Sequence, residues 1–173
     1  SGGTYIATSG TTTLTKESDT GGTDFMFHND GTFTHNNGKF LFDDAGLSSN
    51  SNVRCSSSFY DVELTMGSFF LISHHNMNVA NDFTVTTGTY SDGSNGFTIT
   101  GDVSVASTAT LLLSNSSTQT KTLGSLTIAS GGTFRACRGT TIITSMTSTG
   151  SGDRSLSLVS GGTFTNNSGT VLL

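Results

Sequence analysis

Four histidines, two cysteines and a scatter of carboxylates are the residues of this 173-residue chain that could do chemistry. His28, His35 and the adjacent pair His74-His75 supply imidazoles, common ligands of zinc or copper. No Cys-x-x-Cys or His-Glu-x-x-His accompanies them, so surface or corner histidines are the simpler reading. His28 and His35 would approach each other only if the strands flanking them pair. Calcium asks for converging carboxylate and carbonyl oxygens. Asp43-Asp44 and the run Ser91-Asp92-Gly93-Ser94-Asn95-Gly96 are the plausible sources, yet neither matches an EF-hand loop or a Gly-Gly-x-Gly-x-Asp repeat, and Asx turns explain both. Asp61 and Glu63 lie two apart, on one face of a strand, as the paired carboxylates of polysaccharide cleavage would need. The nearest basic residue along the chain is Arg54, too sparse a setting for a catalytic groove, so no enzyme, metal or cofactor is expected.

The elements that must position these residues follow from composition. Ser and Thr together number 59, Gly 22 and Pro none, while only 11% of residues are charged. Thr, Ser, Gly and Asn are poor in helix interiors, and the 12 Phe and 3 Tyr fall at regular places, so the chain reads as all-β and ordered. Seven Lys plus Arg and a net charge of -5 cannot build the basic surface that nucleic acid requires. No apolar stretch approaches the roughly 18 residues of a membrane helix, so no membrane insertion is expected.

Self-similarity is the strongest signal. SGGTYIATSGTTTLT (1–15), SGGTFRACRGTTIIT (130–144) and SGGTFTNNSGTVLL (160–173) nearly superimpose, with looser copies at 30–43 and 87–100. Thr4, Thr32, Ser68, Thr89, Thr110, Thr133 and Thr163 mark steps of roughly 20 to 36 residues, the size of one solenoid coil. We therefore expect one domain, 1–173, forming a parallel β-helix (β-solenoid) of about seven coils; a β-sandwich or jelly roll is the alternative. Pro would remove a ladder donor, and its absence agrees. Phe33, Tyr90, Phe134 and Phe164 should then form one aromatic ladder, and the Thr-x-Thr words at 32/34, 84/86, 98/100 and 163/165 could build a flat, ice-binding Thr array. An irregular loop is expected around 44–58, with uncertain register through residue 78. Cys55 and Cys137 would sit about four coils, or ~19 Å, apart and remain free thiols.

The words Leu126-Thr127-Ile128-Ala129-Ser130-Gly131-Gly132-Thr133-Phe134 and Leu158-Val159-Ser160-Gly161-Gly162-Thr163-Phe164 resemble the repeats of large bacterial surface and secreted proteins, autotransporter-like passengers and repetitive adhesins. The resemblance implies an extracellular or cell-surface β-solenoid that serves as a stalk, fibre or adhesive surface.

The chain opens in a repeat and stops mid-strand at Thr170-Val171-Leu172-Leu173. That leaves two expectations: a piece of a longer solenoid, or a structural subunit whose copies stack head to tail into a filament. The assembly interface would be Gly3, Thr4 and Tyr5 at one end and Phe164, Val171, Leu172 and Leu173 at the other. The alternative function is an adhesive or glycan-binding module, with Phe59, Tyr60, His74 and His75 as its binding loop. Asn115-Ser116-Ser117 and Asn166-Asn167-Ser168 are acceptor sequons for N-glycans.

Overall fold

Strict alternation of apolar and polar residues, rich in β-branched and aromatic side chains, draws the chain into short strands. The computed structural model describes residues 3–15, 25–44, 49–149 and 152–173. Its strands begin with β1 (Thr4–Ile6), β2 (Thr11–Leu14), β3 (Phe25–Asn29), β4 (Thr32–Thr34), β5 (Lys39–Asp44), β6 (Ser51–Cys55) and β7 (Asp61–Ser73). Then follow β8 (Met77–Val79), β9 (Phe83–Ser91), β10 (Phe97–Ile99), β11 (Asp102–Val105), β12 (Thr110–Leu112), β13 (Thr120–Leu123) and β14 (Ser125–Ile128). The last are β15 (Thr133–Arg135), β16 (Thr140–Ile143), β17 (Thr147–Thr149), β18 (Gly152–Arg154), β19 (Leu156–Leu158), β20 (Thr163–Thr165) and β21 (Thr170–Leu172).

Pairing sorts these strands onto three sides of a parallel β-solenoid. Side one carries β1 and β4, then Phe59 bridging to Val79, then β8, β10, β13, β16 and β21. Side two stacks β2, β5, the first half of β7, the first half of β9, β11, β14 and β19. Side three stacks β3, β6, the second halves of β7 and β9, β12, β15 and β20. Every described ladder is parallel except the β17–β18 hairpin. About five turns have a neighbour on both faces; the count of seven expected from sequence also takes in the first and last turns, each stacked on one face only.

Period-two parity decides what faces inward. On side two, Phe40, Val62, Phe83, Val103 and Leu126 lie in register and are buried. On side three, Leu71, Tyr90, Leu111 and Phe134 do the same. The early turns pack a cluster of Tyr5, Phe27, Phe33, Phe40, Phe42 and Phe59, with ring centroids 5.1–6.5 Å apart. Edge-on and tilted geometries such as these add to the burial energy of the rings.

Several expectations need correction. The repeated word changes sides: Thr4-Tyr5 stacks on Thr32-Phe33 on side one, whereas Thr89, Thr110, Thr133 and Thr163 stack on side three. Phe33 therefore does not share a ladder with Tyr90, Phe134 and Phe164. The word is a turn-and-strand unit that works at more than one corner: Gly38 N donates to His35 O at the corner between sides one and two, and Gly169 N to Asn166 O between sides three and one, both at 3.0 Å. Ser68 is not a marker either, because Phe70 is the residue that pairs with Thr89. This switch of side produces the apparent 36-residue step. The 44–58 loop is narrower than expected: Asp44 ends β5, and Ser51–Cys55 is a strand, while 45–48 lie outside the described residues. Its polar composition misleads because Ser51 Oγ donates to Asp44 Oδ2 at 2.7 Å, pairing the two buried side chains inside the wall. A hairpin, β17–β18, leaves the corner between sides one and two of the seventh turn, and Thr147 Oγ1 ties it to Asp102 Oδ2 at 2.8 Å.

Candidate functional site

The residues expected at an assembly interface divide between the two outermost described turns. On the first turn, Tyr5 and Ile6 are 39% and 66% exposed; on the last, Leu172 and Leu173 are 50% and 75% exposed. Leu158 and Val159 of the same last turn are also about half exposed. Gly3 and Thr4 are exposed, while Phe164 and Val171 are half-buried, with Phe164 stacked 5.4 Å from Phe134. Strands β1, β2 and β3 at one end and β19, β20 and β21 at the other are each paired on one edge only among the described residues.

Beside the first turn lies an open cleft of about 670 Å³, lined by Gly3, Thr4, Tyr5, His28, Asn29, Asp30 and Gly31. The Tyr5 ring rests nearly parallel on Phe33 (centroids 6.0 Å, planes 7° apart) and is braced by Phe27 and the edge of Phe40. Asp30 is held from two sides: His28 Nε2 lies 2.9 Å from Oδ2, and Arg54 Nε donates to Oδ1 at 2.8 Å. The His28 hydrogen bond, followed by the Arg54 one, lowers the Asp30 pKa and keeps it a carboxylate. Asn29 Oδ1 accepts from Gly31 N at 2.8 Å, which shapes the turn.

The other candidates scatter. His28 belongs to side three and His35 to the corner between sides one and two, so their strands do not pair. No group of three or more His, Cys, Asp or Glu that could hold a metal occurs among the described residues. The expected binding loop is not a platform. Phe59 is 1% exposed inside the aromatic cluster; Tyr60 packs on His35 (5.4 Å), while His74 lies at a different corner, bonded to Asn52 Oδ1 (2.7 Å) and edge-on to Phe25. His75 is half-buried next to His74. The Thr-x-Thr words fall on three different sides, and the row beside the Thr89–Thr163 column reads Ser91, Leu112, Arg135, Thr165, so they do not build one flat array.

Both members of the carboxylate pair are engaged. Glu63 Oε2 takes Lys39 Nζ at 2.7 Å and Oε1 takes Thr86 Oγ1 at 3.1 Å; Lys39, one turn away, lowers the Glu63 pKa. Asp61 Oδ1 accepts from Asn81 Nδ2 (2.8 Å) and Asp82 N (3.1 Å), and Asp82 Oδ1 repeats the cap on Asp102 N (2.9 Å). Asp61 and Asp82 are thus backbone caps between turns. Cys55 and Cys137 are buried free thiols in the second and sixth turns, and burial raises the Cys55 pKa. Asn115 and Asn166 are both exposed at the corner between sides three and one, where Asn167 Nδ2 reaches Asn115 Oδ1 at 2.9 Å.

The run 91–96, considered above for calcium, holds a cation of the protein's own. Lys121 Nζ lies 2.7 Å from Asp92 Oδ2, with both side chains at most 1% exposed, and also donates to Asn95 O and Gln119 Oε1. Asp92 accepts further from Ser94 N and Ser114 N, each at 3.0 Å. One signal was available in the sequence: in Thr120-Lys121-Thr122-Leu123, Lys121 shares parity with the inward Leu123. No protein-family model matches the chain, and comparisons with curated proteins and with solved structures find no significant match.

Proposed function

We propose that this chain is a structural β-solenoid subunit, working outside the cell or at its surface, whose copies add end to end into a filament. The observation that carries the proposal is the polarity of the surface. Apolar side chains concentrate on the outermost described turns, at Tyr5 and Ile6 and at Leu158, Val159, Leu172 and Leu173, beside strands that have an unpaired edge among the described residues. Such edges template further parallel strands unless blocked, and a head-to-tail contact of this kind propagates without closing. The Ser- and Thr-rich outer walls would stay in solvent, with Asn115 and Asn166 placed to carry glycans if the chain is secreted. A structural role asks for no catalytic step, and the carboxylates that resemble a catalytic pair are engaged with Lys39 and in backbone caps.

Electron microscopy of the purified chain at neutral pH tests assembly. Unbranched fibres with an axial repeat of ~30–40 Å, about seven rungs at ~4.8 Å each, are the expected result, and Leu172→Lys with Ile6→Lys should abolish them. Discrete particles at every concentration would overturn the proposal.

A further inference from the structure

We propose that the cleft beside the first turn is a saccharide site that takes the apolar face of a neutral pyranose against Tyr5. Three observations converge on this ligand class. The first is the platform: Tyr5 is partly exposed, and its ring orientation is fixed from the core side by Phe33, Phe27 and Phe40, so ordering it on binding costs little side-chain entropy. The second is the rim. Asp30 and His28 line the same cleft, and the Arg54–Asp30–His28 hydrogen bonds hold both polar groups in place without a ligand. A carboxylate accepts from sugar hydroxyls, and the Asn29 amide adds donors next to it. The third is volume and charge: about 670 Å³ suits a small ligand of one or two rings, and the two basic groups there, Arg54 and His28, are already paired with Asp30, which gives uronates and sulfated sugars no advantage over a neutral ring.

This site differs from the loop the sequence suggested, since Phe59 is buried and Tyr60 and His74 sit at separate corners. It does not rest on filament assembly. Tyr5 serves in both, however, so a bound sugar and a stacked copy would compete for its outer face.

Saturation-transfer difference NMR on dilute protein, below any concentration that forms fibres, separates the two. Methyl glycosides of glucose, galactose, mannose and N-acetylglucosamine, with their β-linked disaccharides, are the probes. At least one should transfer saturation through its ring protons. Tyr5→Ala and Asp30→Asn should each weaken its Kd by about tenfold or more, equivalent to ~1.4 kcal/mol, while Tyr60→Ala leaves it unchanged. Asp30 is exposed, so Asp30→Asn reports on the site without threatening the core. Silence with every probe, or binding that survives both Tyr5→Ala and Asp30→Asn, overturns the assignment whatever the microscopy finds.

Discussion

Removing one partner of the Lys121–Asp92 pair should be among the most damaging single changes in the protein. Lys121→Met keeps an unbranched side chain but deletes the ammonium, and Asp92, 1% exposed, is left with two backbone N–H donors and no counter-charge. An uncompensated buried charge of this kind costs about 3–5 kcal/mol. In a chain of this length that corresponds to a fall of roughly 6–20 °C in Tm. Asp92→Asn strands the ammonium among the Asn95 carbonyl and Gln119 amide oxygens and should cost a similar amount. The double variant removes both charges, and we expect it to recover to within about 1–2 kcal/mol of the parent, so that the two single losses exceed the double by at least ~4 kcal/mol, the mark of neighbours that share one network. Guanidinium denaturation of the four proteins, followed by circular dichroism, closes the cycle. Single variants that each cost under ~1 kcal/mol and add without coupling would refute the reasoning, because a pair so lightly held would have to be solvated.

Two further changes probe the wall. Gly124→Ala would place a Cβ 2.1 Å from Gly101 O and 2.4 Å from Thr100 O, backbone atoms of the turn it packs on; we expect a loss of about 2–3 kcal/mol by thermal denaturation, against no change for Gly3→Ala, which meets nothing within 4 Å. Glu63 has its folded pKa lowered, chiefly by the Lys39 hydrogen bond, so its contribution is complete above the ordinary carboxyl value of 4.5 and is lost as pH falls through the lower folded value. Glu63→Gln should remove no more than ~1 kcal/mol at neutral pH, since the pair is partly solvated, and should flatten the fall in stability below the ordinary carboxyl value of 4.5; an unchanged acid slope would count against the pairing.

The solenoid was legible because its cause is local. Inward parity at Phe83, Val85, Val103 and Val105, with Thr84 and Ser104 between, can be read from the chain without knowing what stacks on what. What escaped depends on register across a turn. Lys39 meets Glu63 at a separation of 24 residues and Lys121 meets Asp92 at 29, and turn lengths vary too much to fix such offsets in advance. The Asp61, Asp82, Asp102 column is invisible for the same reason: each member looks like an ordinary turn residue until the next turn lies over it. Phe59 misled in the other direction, since an aromatic beside Tyr60 in an irregular stretch suggests a surface, whereas alternation through the corner sends one ring in and the other out.

The change of side by the repeated word bears on how copies could meet. Matching words would set Gly162-Thr163-Phe164 of one copy under Gly3-Thr4-Tyr5 of the next, but the former lies on side three and the latter on side one, so one copy would have to turn by a full side about the axis. Matching sides needs no such turn. Along side two it sets Leu158 under Leu14, which share one inward row, so an apolar residue of the last turn meets one of the first. Burial of apolar area favours this arrangement, because half-exposed Leu158 is then covered within its own inward row. A filament built this way would carry the β17–β18 hairpin along one straight edge. A filament built by matching words would wind it about the axis by one side per subunit, so the path of the hairpins in a fibre image distinguishes the two.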